Sequence, residues 1–303
     1  MNGLSVEWVE VGPRDGLQSW PRTIPTPAKV GLINNLLGCG FRRLEATSMV
    51  HPKRVPQLAD AEAVLEALRD RLPQLRVLVP NRHGWERARE AGVRNVAVTV
   101  AATDGYNQHN LNRSVKETLH DIDEILQEAT RDGVLVDASI SVSFGCPYEG
   151  AVSVEKVEGV ASSLADAGIR EIALADTIGT ANPAQVESLF QAMRERLPSV
   201  RWGAHLHDTR GAAMANLLSA LETGITLFEG SVGGIGGSPF APSAAGNLCS
   251  EDALAMLEAM GIQTGIDVNR LVEVARGLSR TLGEKLPGKL HAVEPSQARR
   301  VPA

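Results

Sequence analysis

Apolar positions along the chain follow two alternating patterns. Short runs rich in Val, Ile, Leu and Ala recur at 5–11, 42–46, 75–79, 95–100, 135–142, 171–175, 201–206 and 226–230. Runs of that length and composition predict buried parallel strands. Longer stretches with helical spacing separate them, among them 56–71, 114–131, 153–167 and 183–196. A strand followed by two or more helical turns, repeated, is the pattern of a βαβ series. The junctions CGFRRLEA, AGVRNVAV, AGIREIAL and TGITLFEG place Gly40, Gly92, Gly168 and Gly224 where a helix should end and a strand begin. Glycine suits the left-handed residue just past a helix end. This repeat supports the α/β class and says nothing of function. Eight strands over roughly 280 residues predict a (β/α)8 TIM-like barrel with a few extra C-terminal helical segments. An open dinucleotide-binding sheet would carry GxGxxG after its first strand, and this turn reads GPRDGLQ. A single catalytic domain is expected over 1–283. The Pro-containing, basic stretch 284–303 is expected as a C-terminal tail, either packed on or disordered.

Composition narrows the class. Hydrophobic residues at 43% and charged residues at 22% are those of a globular protein. Twenty-nine glycines with 4% aromatics imply many tight connections around an aliphatic core. A net charge of −6 offers no basic field for nucleic acid or a membrane surface. The start, MNGLSVEWVEVGP, has neither a basic nor an apolar signal region, and no run approaches the ~18 apolar residues of a membrane span, so a cytoplasmic protein is expected. Three cysteines, Cys39, Cys146 and Cys249, with no CxxC spacing, indicate neither a disulfide framework nor a structural zinc site.

In such a barrel the chemistry sits at the C-terminal ends of the strands. The first strand is followed by Arg14 and Asp15, a dipeptide that in most turns is a solvated pair. The second carries Glu45, a carboxylate inside an apolar run, which is costly unless partnered. The sixth ends at Asp176. The seventh reads AHLHDT, and residues two apart on a strand point to one side, so His205 and His207 form either a hydrogen-bonded pair or a metal-ligand pair. Convergence with Asp15, Glu45 and Asp176 favours the metal. After the eighth strand, GSVGGIGGSPFAPSAAGN opens with five glycines in eight residues, continues as a small-residue loop and ends at Asn247. A loop of this kind is either a plain surface connection or a hinged lid. With an amide oxygen from Asn247, the donor set is mixed N/O without thiolate, which favours Mg2+ or Mn2+ over Zn2+.

EVGPRDGLQ, LEATSMVHPKRVPQLAD, GCPYEG, ADTIG, HLHDT and GGIGGSPFAPSAAGNL together resemble the 3-hydroxy-3-methylglutaryl-CoA lyase family, in order, over residues 6–282. The resemblance implies a TIM-like barrel using a divalent cation. It further implies retro-Claisen cleavage of a 3-hydroxyacyl-CoA to acetyl-CoA and a 3-oxo acid, acetoacetate for hydroxymethylglutaryl-CoA. Carried over by motif, Asp15, His205, His207 and Asn247 would hold the metal. Arg14 would stabilise the enolate oxygen, Glu45 would orient Arg14, and Asp176 would sit near the substrate hydroxyl. His205 or Asp176 would take the hydroxyl proton. The segment 102–113, with Asn110 and Asn112, would lie near the CoA chain. Family relatives also suggest a homodimer.

One motif departs from the family. The loop normally reads GGCPYA, its cysteine being regarded as the acid that protonates the enolate. Here Ser238 stands at that position and Phe240 replaces the tyrosine. A serine hydroxyl is a far weaker acid than a thiol of pKa ~8.5. A lyase for a related acyl-CoA, of citramalyl or methylmalyl type, is therefore an alternative. A Claisen condensing synthase of the same superfamily is another, although the loop lacks the Glu-Arg pair such enzymes carry. A non-catalytic acyl-CoA-binding barrel is the third.

Overall fold

Eight parallel strands pair in chain order and close on themselves: β1 (Glu7–Glu10), β2 (Arg43–Ser48), β3 (Leu75–Val79), β4 (Asn95–Ala101), β5 (Leu135–Ser141), β6 (Glu171–Asp176), β7 (Arg201–Leu206) and β8 (Leu227–Gly230). β8 returns to β1 with Trp8 opposite Phe228 and Glu10 opposite Gly230, which closes the barrel. The computed structural model of the chain describes residues 3–237 and 246–293. Outside the barrel lie α1 (Thr26–Leu37), α2 (Ala61–Ala67), α3 (Arg82–Glu90), α4 (Asp104–Leu111), α5 (Val115–Asp132), α6 (Val154–Ala167), α7 (Pro183–Arg196) and α8 (Ala213–Glu222). Two further helices follow the last strand, α9 (Ser250–Ala259) and α10 (Val268–Leu282). The predicted (β/α)8 class and its extra C-terminal helices are the observed architecture. No helix among the described residues is long and apolar enough to cross a membrane.

Local signals explain the boundaries. Ser114 and Glu117 form a reciprocal capping box that starts α5, and Asn182 and Gln185 do the same for α7. The four junction glycines all have positive φ, 104° at Gly40, 75° at Gly92, 116° at Gly168 and 86° at Gly224. The helix expected over 56–71 is broken into a 3-10 turn at Pro56–Leu58, α2 and a second 3-10 stretch at Arg69–Gln74. Buried Lys29 takes both the Gln57 carbonyl and, at 2.6 Å, the Asp60 carboxylate, so this carbonyl serves α1 instead of a helical ladder.

The strands have two unlike faces. Val77, Val79, Val96, Val98, Val100, Ile172 and Leu174 belong to the apolar core between barrel and helices. The alternate positions Arg76, Leu78, Ala97, Thr99, Asp137, Ser139 and Ser141 line the interior cavity. A register shift between Glu45 and Thr47 interrupts the alternation in β2, and Glu45 and Ser48, three apart, both line that cavity. The aliphatic composition that predicted the strands thus describes their outer face, while much of the inner face is polar. At the N-terminal mouth of the barrel, Arg43 meets Glu171 at 2.6 Å, Glu7 at 3.0 Å and Asp137 at 3.5 Å, and Arg201 meets Glu7 at 2.8 Å and Glu171 at 3.0 Å.

The first part of the 284–303 stretch is packed on. Leu286 is buried, and Leu290–Ala292 form a 3-10 turn whose His291 Nδ1 lies 3.0 Å from Glu251 Oε1. Arg276 clamps this turn by donating to the carbonyls of His291 and Val293. Residues 294–303 lie outside the described residues.

Candidate active site

The chain leaves β1 through a π-helical turn, Gly12–Gly16, in which the Val11 carbonyl accepts from the amides of Arg14, Asp15 and Gly16. Glu10 holds this turn in place. Its Oε1 accepts from the amides of Gly12 and Val232, both at 2.8 Å, and its Oε2 from Ser250 Oγ at 2.6 Å. Complete burial pushes the Glu10 carboxyl up to about 8, against the opposing pull of those hydrogen bonds. The turn sets Arg14 and Asp15 side by side, with Arg14 Nη1 donating to Asp15 Oδ1 at 2.7 Å. Both side chains are largely buried, so this is not the solvated pair that such a dipeptide usually forms.

His205 and His207 project from the end of β7 to one point, their Nε2 atoms 3.2 Å apart. Asp15 Oδ2 lies 3.9 Å from the first and 4.0 Å from the second. The candidate ligand atoms of these three buried residues all lie within 4.8 Å of one another. Asn247 closes the group from beyond β8. Its Nδ2 donates to Asp15 Oδ2 at 2.7 Å, while its Oδ1 is buried and has no partner among the described residues. Gly236 leaves room for this amide, since a Cβ there would come within 2.2 Å of Asn247 Nδ2. Two imidazole nitrogens, a carboxylate and an orphaned amide oxygen, with no thiolate, fit an oxygen-preferring divalent cation. Burial would raise the Asp15 carboxyl, but the charges of Arg14, His205 and His207 and the Asn247 bond outweigh it and hold it below the usual range. Burial would likewise lower His205, yet the hydrogen bond and charge of Glu229, with the charge of Asp15, carry it above its ordinary value.

Behind these residues lies a buried ionic layer. Arg14 Nε donates to Glu45 Oε1. The other Glu45 oxygen is 2.8 Å from Arg76 Nε. Arg76 also reaches Asp137 at 3.2 Å and Glu229 at 2.6 Å. Glu229 Oε2 in turn holds His205 Nδ1 at 2.8 Å. One guanidinium therefore fixes both the carboxylate that orients Arg14 and the carboxylate that orients His205. Burial costs Arg76 its charge in principle, but Glu229, Glu45 and Asp137 raise it well above the ordinary arginine value. Arg76 and Glu229 went unnoticed in the sequence. The signal was present, for each is a charge inside an apolar strand, the same anomaly that singled out Glu45.

Other expected positions fall differently. Arg14, Asp15, Glu45, His205, His207 and Asn110 line one cavity of about 130 Å3. Asp176 does not. Its Oδ1 accepts from the Thr180 amide at 3.0 Å and its Oδ2 from the Ala181 amide at 3.1 Å, which fixes the turn after β6. Burial outweighs those bonds and raises its carboxyl. Asn110 sits half-buried in α4, while Asn112 is exposed, ends α4 with φ 58°, and accepts from Gln108 through its side chain. Ser238 and Phe240 lie outside the described residues. Cys39, Cys146 and Cys249 are all free, all buried, and none lines the cavity.

The HMGL-like family model matches residues 5–277. A hydroxymethylglutaryl-CoA lyase of Bacillus subtilis is 42% identical over 281 residues, covering 92% of this chain and 94% of that protein. An (R)-citramalyl-CoA lyase of Chloroflexus aurantiacus is 40% identical over 305 residues, covering 96% of each. The solved structure of an HMG-CoA lyase from Acinetobacter baumannii, in complex with coenzyme A and 3-methylmalate, superposes with a TM-score of 0.91 at 36% identity and 95% coverage of each chain.

Proposed function

The chain belongs to the HMGL-like family, and on that premise we propose that it is a divalent-metal-dependent carbon–carbon lyase. It cleaves a 3-hydroxyacyl-CoA with a distal carboxylate, hydroxymethylglutaryl-CoA first, into acetyl-CoA and acetoacetate. The observation that carries this reading is the buried convergence of Asp15, His205 and His207 on one point, with Arg14 bonded to Asp15 beside them. Asp15, His205, His207 and the Asn247 Oδ1, which has no partner among the described residues, would hold Mg2+ or Mn2+. The cation, when bound, makes the tertiary hydroxyl at C3 acidic enough to lose its proton.

The protein side of the reaction follows from its residues. With Nδ1 of His205 held by Glu229, its Nε2 is fixed facing the ligand cluster, and the hydroxyl proton passes to a water at the site. The C2–C3 bond then breaks, its electrons passing through C2 to the thioester oxygen as the hydroxyl carbon becomes a ketone. Arg14 faces that developing enolate oxygen with its guanidinium already locked by Glu45 and Asp15, so little reorganisation is needed as charge arrives. Protonation of C2 completes acetyl-CoA. With serine at position 238, a solvent or imidazole proton relayed through this hydroxyl is the source we favour. Asp176 acts by shaping the turn after β6, and Asn110 meets the pantetheine arm from α4. Asn112 contributes at the outer edge of the same segment.

A citramalyl-CoA substrate is the second reading, favoured by the similarity to the Chloroflexus enzyme and by Ser238. We further propose a cytoplasmic homodimer, in keeping with three free thiols and the family resemblance. The test is release of acetyl-CoA from hydroxymethylglutaryl- and citramalyl-CoA, and of propionyl-CoA from methylmalyl-CoA, with Mg2+, Mn2+ or EDTA. Metal-dependent release from one of them is expected. No release from any substrate under any metal would sink the lyase reading.

A further inference from the structure

Three arginines line the cavity, and two are committed inside the protein. Arg14 is held by Glu45 and Asp15. Arg76 is held by Glu45, Asp137 and Glu229. The third, Arg54, is exposed, and its guanidinium makes no ion pair or hydrogen bond among the described residues. Its backbone is nevertheless fixed. The amides of Arg54 and Val55 both donate to the His51 carbonyl, at 2.8 and 3.3 Å, and the Val55 side chain is buried. An anchored backbone thus carries an uncommitted cation at the cavity rim. Beneath it, Val50, Val55, Leu78 and Pro80 supply an apolar wall.

From this arrangement we propose that Arg54 is a specificity-determining residue, which takes the distal carboxylate of the acyl group. The inference rests on the acyl-CoA lyase reading. A second carboxylate descending to the cavity floor meets Asp15, Glu45, Asp137 and Glu229, all of them acidic. At the rim it meets a guanidinium whose planar fork matches a carboxylate and has no internal competitor. The apolar wall suits the methyl on the reacting carbon and the methylene that leads to that carboxylate, and its side chains offer no donors to phosphate or ribose. The anionic end is therefore read at the rim, while the hydroxyl and thioester lie over the metal ligands.

The experiment uses thioesters without a 3-hydroxyl, so binding is measured where no cleavage occurs. Calorimetry compares glutaryl-CoA, valeryl-CoA and coenzyme A on the wild-type protein, Arg54→Gln and Arg54→Lys. The wild type should bind glutaryl-CoA about two- to five-fold tighter than valeryl-CoA, as expected for one partly solvated ion pair. Arg54→Gln should abolish that preference and leave coenzyme A unchanged, and Arg54→Lys should restore part of it. The KM for a cleaved, carboxylate-bearing substrate should rise by the same factor in Arg54→Gln. Equal weakening of all three ligands would mean that Arg54 meets the phosphates of coenzyme A, which overturns the proposal. So would an unchanged preference, or no preference in the wild type. These binding results stand whether or not the wild type releases acetyl-CoA, so failure here and failure of the lyase reading are told apart.

Discussion

Replacing Arg76 with methionine removes the guanidinium that joins Glu45, Asp137 and Glu229 and keeps most of its volume. Removing one partner of a buried ion pair costs about 3–5 kcal/mol. Three such losses would approach the whole stability of a domain, about 5–15 kcal/mol, but they do not add. A stranded carboxyl group can take a proton, and from an ordinary value near 4.3 this costs only about 3–4 kcal/mol at pH 7. Asp137, already pushed up to about 7 by burial against the pull of Arg76 and Arg43, escapes at almost no cost. Glu45 keeps Arg14 and Glu229 keeps His205, which limits the damage further. The expected loss is about 4–6 kcal/mol at pH 7.5, measured by urea unfolding of the metal-free protein. The pH dependence tests the reasoning. In the variant the folded state holds protons that the unfolded chain releases, so its stability falls as pH rises. The loss relative to wild type should shrink on going from pH 7.5 to pH 5.5, by at most about 2.7 kcal/mol for each extra proton the folded variant holds. A loss under about 1 kcal/mol, or an equal loss at both pH values, would refute the claim that Arg76 is the charge on which the layer depends.

Other predictions follow from the same site. Asp15→Asn and His207→Ala should each weaken Mn2+ binding at least tenfold by calorimetry, whereas Arg14→Ala should change it only a few-fold while acetyl-CoA release disappears. Equal loss of metal in all three would reverse the division of roles. Glu10, raised to about 8, keeps a proton in the folded state that the unfolded chain loses near its ordinary value, so its contribution is full at low pH and lost as pH rises through 8. Glu10→Gln should therefore gain on wild type by up to about 1.4 kcal/mol per pH unit between pH 5 and 8 in chemical unfolding, and parallel stability profiles would rule this out. Ser238→Cys should raise turnover of hydroxymethylglutaryl-CoA, because a thiol is the stronger acid; a flat or lower rate would point to a different acyl chain.

Much of the barrel was legible because its outer surface obeys local rules. Glycine at Gly168, the Ser114 and Asn182 caps, and the Val-rich runs each specify a boundary by themselves. The interrupted helix at 56–71 was not legible. At the first break Lys29 reaches across from α1 to Gln57 and Asp60, a contact that no pattern within 56–71 announces. Asp176 shows the reverse. Its place at a strand end suggested chemistry, and only the fold turned both oxygens onto backbone amides.

The sequence by itself determined the closed α/β barrel and the ring of chemical residues at its strand ends. Both follow from short Val-, Ile-, Leu- and Ala-rich runs alternating with helical stretches and from side chains whose chemistry is intrinsic, such as the two imidazoles of HLHDT. The tertiary structure alone decided which charges answer which. Glu45, Arg76, Asp137 and Glu229 come from four strands spread over 185 residues of chain, with Arg76 and Glu229 153 apart. Barrel closure brings them within hydrogen-bond reach, and in a space with little water each must find its partner there. Arg54 is left over from that matching, and that is a property of the assembled cavity.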